Sequence, residues 1–222
     1  MEDGNVTVRV AAISALTGNR SKSKLIAVKL SDALTDKEPV VKRAAIDALQ
    51  EYVPLVQPTV ERLIELLSSP DRDVRLSAIR LLGASGPEAA KGLPQITKLL
   101  NEQDASLCRT AARAIASIDR RTVEPLIEQL KSVPEKRELV RELAVAGLTA
   151  MRVGLRYKEG QITHISFYRR PKAYEKSKPS NVTNEDLKLL RHLPDIEEFF
   201  NVHSLSLAGT QVDNDGLVYL SG

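Results

Sequence analysis

Val74-Arg75-Leu76-Ser77-Ala78-Ile79-Arg80-Leu81-Leu82 decides the fold, because it recurs at a step of 33 residues. One step back it is Val41-Lys42-Arg43-Ala44-Ala45-Ile46-Asp47-Ala48-Leu49, and two steps back Val8-Arg9-Val10-Ala11-Ala12-Ile13-Ser14-Ala15-Leu16. Forward it is Leu107-Cys108-Arg109-Thr110-Ala111-Ala112-Arg113-Ala114-Ile115, then Val140-Arg141-Glu142-Leu143-Ala144-Val145-Ala146-Gly147-Leu148. The five copies stay in register without insertions. One column is Ala throughout (Ala12, Ala45, Ala78, Ala111, Ala144), and another is always branched and apolar (Leu16, Leu49, Leu82, Ile115, Leu148). A fixed period of this size marks stacked supersecondary units and outranks any local motif.

Within a copy the apolar residues fall at i, i+4, i+5 and i+8, which is one face of a helix. Asn5, Glu38, Asp71 and Asp104 precede the first four copies at the same spacing and suit helix starts; Arg137 breaks that column. A second helical run lies between copies, with apolar stripes such as Val60, Leu63, Ile64, Leu67 and Leu93, Ile96, Leu99, Leu100. Turns rich in Gly, Asn and Pro separate the two runs, and Pro54 and Pro87 are again 33 apart. Each unit is a helical hairpin whose apolar side is buried only by stacking on its neighbours, and the Ala column lets helices approach closely.

The Val74–Gly83 helix, followed by Gly86-Pro87-Glu88-Ala89-Ala90-Lys91-Gly92-Leu93-Pro94-Gln95-Ile96, resembles HEAT repeats, above all the bacterial kind also seen in bilin-lyase-related proteins. The resemblance implies that the column Arg9, Lys42, Arg75, Cys108, Arg141 joins neighbouring repeats through acidic partners, with Cys108 as a missing rung. Cys108 has neither a Cys-x-x-Cys partner nor a nearby His in sequence, and reads as a small packing residue.

After Ala150 the period changes. Residues 152–157 and 162–167 alternate around a turn and read as a β-hairpin. Further on, Leu205-Ser206-Leu207 and Thr210-Gln211-Val212-Asp213-Asn214-Asp215-Gly216-Leu217 resemble bacterial leucine-rich repeats, and Val182 to Pro194 repeats that frame 30 residues earlier. Two such turns are too few to stand alone. Either they pack on the last helix, about Glu135 to Met151, or more repeats follow; the expectation is truncation. The expected fold is therefore mostly α: a HEAT/armadillo-like α-α superhelix over 1–151, then a small α/β leucine-rich segment with a β-hairpin over 152–222.

Composition narrows the function. Lys and Arg number 32 against 29 Asp and Glu, a net charge of +3, with no general pull toward nucleic acid or anionic membrane. The single cysteine excludes a disulfide framework, and no apolar run approaches a membrane span, so a cytoplasmic location is expected. His164, His192 and His203 are scattered without metal-ligand spacing, and Asp213-Asn214-Asp215-Gly216 lacks the twelfth-position Glu of a calcium loop. No catalytic, cofactor or metal residues are singled out, and an enzyme is not expected.

The expected function is protein–protein recognition by a scaffold that offers its solenoid surfaces to an unidentified protein. The inner helices of a HEAT stack usually line a concave face, and their outward columns are Lys29, Arg62, Gln95, Glu128 and Asp32, Glu65, Lys98, Lys131. Their mixed signs fit a protein surface better than a phosphate backbone. The alternatives are nucleic-acid binding through the basic 168–180 loop, which holds Arg169, Arg170, Lys172, Lys176 and Lys178 with Tyr168 and Tyr174 interleaved, or a bilin-lyase-like small-molecule role by family analogy. Self-association through an uncapped last repeat is a further expectation.

Overall fold

The computed structural model describes residues 4–18, 24–53, 55, 57–151, 154–158, 161–166, 182–193, 204–206, 212 and 215. The chain divides into two compact units, residues 1–119 and 120–222.

The first unit holds α1 (Val6–Gly18), α2 (Lys24–Ala33), α3 (Pro39–Leu49), α4 (Gln57–Leu66), α5 (Arg72–Ser85), α6 (Leu93–Lys98) and α7 (Ala105–Ile118). The first helices of successive hairpins, α1, α3, α5 and α7, begin at the 33-residue step of the sequence. Their cores are the repeated columns: Ala45, Ala78 and Ala111 are fully buried, as are Leu49, Leu82 and Ile115. Ala12 and Leu16 are only half-buried. The second helices begin at Lys24 and Gln57, but the third equivalent is delayed. Gly86 takes φ +65°, ending α5, and a 3-10 helix runs over Gly86–Gly92 before α6 starts. Pro87, in the first turn of that helix, costs no hydrogen bond there.

Three of the four helix starters cap as expected. Asn5 Oδ1 accepts the Thr7 N–H at 2.9 Å, Asp71 Oδ1 the Val74 N–H at 2.8 Å, and Asp104 Oδ1 those of Ser106 and Leu107 at 2.8 and 3.2 Å. Glu38 makes no such bond, its side chain being one carbon longer; Asp36 Oδ1 accepts the Glu38 N–H instead, at 2.9 Å.

The basic column is not the uniform acid-paired ladder that the resemblance implies. Arg9 is 5% exposed and grips Asp36 with two nitrogens, at 2.7 and 3.0 Å. Arg75 instead donates to the Ser69 and Pro70 carbonyls at 2.8 and 3.2 Å. Cys108 turns its thiol to the Glu102 carbonyl at 3.2 Å, and Glu102 stands 33 residues after Ser69. The buried thiol thus keeps a rung of the ladder with a weaker donor. Repeats are also joined by Arg43–Asp73 at 2.8 Å, by Arg72–Asp104, and by Lys91–Glu61 at 3.1 Å. Such exposed pairs contribute little stability, because water and salt screen them.

Helix α5 packs closely on α7. A Cβ at Gly83 would stand 2.9 Å from the Ala114 Cα, so only glycine fits at this separation.

The second unit holds α8 (Val123–Leu130), α9 (Arg137–Ala150), β1 (Gly154–Lys158), β2 (Gln161–Ser166), α10 (Asn184–Leu187) and β3 (Ser204–Ser206). A 3-10 turn over Lys188–His192 extends α10. Thr183 starts α10, with its N–H and hydroxyl donating to Asp186 Oδ2 at 2.8 and 3.1 Å. Arg120 pairs with the same Asp186 oxygen at 3.4 Å.

Here the expected leucine-rich segment is overturned. A leucine-rich solenoid stacks parallel strand-and-helix turns one repeat apart. The described sheet has the order β1-β2-β3, and β1 runs antiparallel to β2, with a bulge between Arg156 and Tyr157. Only the three-residue β3 is parallel to β2, with His164 opposite Ser204, a separation unlike the 30-residue frame. The leucines of the first supposed repeat do other work: Leu187, Leu189, Leu190 and Leu193 are all buried, and Leu189 packs on α9 at Gly147. Of the two outcomes weighed, packing on the last helix is the one residues 182–193 adopt. Among the described residues the architecture is thus one of helical hairpins and a small sheet, with no leucine-rich domain. The 168–180 loop, His203 and most of the second supposed repeat lie outside the described residues.

Candidate functional site

The second helices bury one stripe and expose the other. On α4, Val60, Leu63 and Leu66 face inward while Glu61 and Glu65 are exposed. Lys29, Arg62 and Gln95 each precede a buried residue at repeat spacing, namely Leu30, Leu63 and Ile96. The first unit therefore places Lys29 and Asp32 on α2, Arg62 and Glu65 on α4, and Gln95 and Lys98 on α6. Glu128 on α8 and Lys131 just after it belong to the second unit.

These eight residues are not equivalent. Arg62 reaches across to α2, donating to Asp32 Oδ1 at 2.8 Å and to the Ser31 hydroxyl at 3.2 Å. Glu128 pairs with Lys131 one turn on, and that ammonium lowers the Glu128 pKa. Two of the expected contact columns are thus partly used within the molecule. Lys29, Glu65, Gln95 and Lys98 remain: all are exposed, and their side chains form no hydrogen bond or ion pair among the described residues. They form a surface row of two cations, one anion and one amide. A depression between α5 and α7 is bordered by Arg80, Gly83, Thr110, Arg113 and Ser117.

Residues 60–149 match the family model for HEAT repeats. The HEAT match spans α4 to α9 and stops before β1, so it supports the helical part of the resemblance and not the fusion to leucine-rich repeats. No relative is found among curated proteins. An engineered protein solved by crystallography is similar at 17% sequence identity, over 99% of this chain and 90% of that one, with a TM-score of 0.47.

In the second unit the fold assembles a group that the sequence reading did not single out. Glu124 and Glu128, one helical turn apart on α8, meet His192 from the 3-10 turn. His192 Nε2 stands 3.3 Å from Glu124 Oε1, with His192 13% and Glu124 26% exposed. Glu124 Oε2 is sealed from solvent and has no hydrogen-bond partner. One oxygen or nitrogen from each of the three residues lies within 4.8 Å of the others. The i, i+4 carboxylates were visible in the sequence as one helix face; His192, 68 residues after Glu124, was not. Among the described residues no helix is long and apolar enough to cross a membrane.

Proposed function

We propose that this chain is a non-enzymatic protein-recognition scaffold, and that a partner protein is contacted by the second helices of its first unit through Lys29, Glu65, Gln95 and Lys98. The observation that carries this reading is the contrast along the two repeat columns. Asp32 and Arg62 are tied to each other, while their neighbours at the same repeat positions present unpaired polar groups to solvent. Rigid helices hold these groups at fixed spacing, so little ordering entropy opposes binding. Alternating sign favours a protein surface of complementary charge over a polyanion, which would select cations along the whole row. The HEAT match supports the scaffold and leaves the partner's identity to experiment.

A photo-crosslinking residue at position 95, in nuclease-treated lysate, tests the site. Discrete protein adducts should form, and should be lost when Lys29→Glu and Lys98→Glu are combined. Adducts that persist in that double variant would remove the site from α2 and α6. Binding that disappears on nuclease treatment alone would favour nucleic acid instead.

A further inference from the structure

We propose that Glu124, Glu128 and His192 form a binding site for a divalent transition-metal ion of the zinc type, which clips residues 182–193 onto α8. Three observations converge. The two carboxylates share one face of α8, and the 3-10 turn that carries His192 brings an imidazole to them. Glu124 Oε1 already meets His192, yet Oε2 is buried with no donor. A carboxylate oxygen left so is costly, and a cation at that position supplies the missing partner. The donor set of one imidazole and two carboxylates suits zinc, cobalt or manganese, whereas calcium and magnesium prefer all-oxygen shells.

The geometry is close to what such an ion needs. In a tetrahedral shell with bonds of ~2.1 Å, ligand atoms stand about 3.4 Å apart. The ligand atoms of the three groups already lie within 4.8 Å of one another. Glu128 is half exposed, which gives the ion an entry path and leaves a fourth position for water. A competitor is also visible: Lys131 pairs with Glu128 Oε2, so its ammonium competes with the ion for the charge of that carboxylate.

The test uses the full chain without an affinity tag, stripped with chelator, and titrated with Zn2+ alone by calorimetry and with Co2+ by visible absorption. One equivalent should bind, with the intense d–d band of a four-coordinate Co2+. His192→Ala and Glu124→Gln should each weaken binding by at least about ten-fold. His164→Ala should leave it unchanged, and Lys131→Met should tighten it by freeing Glu128. If His192→Ala unfolds the second unit, Glu128→Gln removes a ligand at an exposed position and should show the same loss. No binding at millimolar Zn2+, or equal affinity in the wild type and the Glu128→Gln variant, would overturn the site and leave the Glu124–His192 contact as a simple ion pair.

Discussion

At the scale of single residues, the Arg9–Asp36 pair is the most buried ion pair among the described residues. Both side chains are largely buried, and the guanidinium contact is bidentate. Removing one partner of such a pair strands the other charge. Arg9→Leu should therefore destabilise the first unit by about 3 kcal/mol, read as a lower urea midpoint. Arg9→Leu with Asp36→Leu should recover most of that loss, since no charge is then left unpaired. The Arg9 contact also lowers the Asp36 pKa below 3.8, and Arg72 lowers that of Asp104 to about 2. A carboxylate depressed in the folded state stabilises it above its unfolded pKa and ceases to do so as pH falls through the folded value. Acid unfolding should thus steepen between about pH 3.8 and about pH 2, and Asp104→Asn should flatten that part of the curve. A profile unchanged by Asp104→Asn would mean that the Arg72 contact does not persist in solution.

At the scale of elements, two helix glycines give opposite expectations. At Gly83 an added Cβ meets the Ala114 backbone at 2.9 Å, which cannot yield without moving α7. Gly83→Ala should cost about 1–3 kcal/mol, as overpacking does. At Gly147 the nearest atom, at 2.6 Å, is the end of the Leu189 side chain, which can rotate away. Alanine there also gains helix propensity of up to about 1 kcal/mol. Gly147→Ala should be near neutral in thermal unfolding, and a loss comparable to that of Gly83→Ala would show that Leu189 is locked. The difference between these positions was not legible in the sequence, where Gly147 sits within a repeat copy and Gly83 just after one. What was legible is what repetition fixes: helix starts, the Ala and Leu columns, and three of the four caps. The leucine-rich reading failed because Leu187, Leu189, Leu190 and Leu193 satisfy the same spacing while covering α9. Leucine spacing alone does not say whether the buried face meets a strand stack or a helix. The metal cluster was half legible, since Glu124 and Glu128 share a helix face in any helical reading, but only the fold adds His192.

At the scale of the whole molecule, each hairpin is stabilised by its immediate neighbours, so damage should stay local. The segment over 182–193 makes this testable, because it covers α9 with side chains that no repeat supplies. Leu190 is fully buried in the second unit. Leu190→Ala should cost about 2–5 kcal/mol there by leaving a cavity. Native-state hydrogen exchange then reports where the loss falls. Amides of α9 should lose protection, while those of α3 and α5, held by the fully buried Ala45 and Ala78 columns, should keep theirs. An equal loss in α3, α5 and α9 would mean that the two units unfold as a single cooperative body, and the nearest-neighbour account of the solenoid would fail. A loss confined to α9 and α10 would establish 182–193 as a structural cap, which is the element that a metal at Glu124, Glu128 and His192 would fasten.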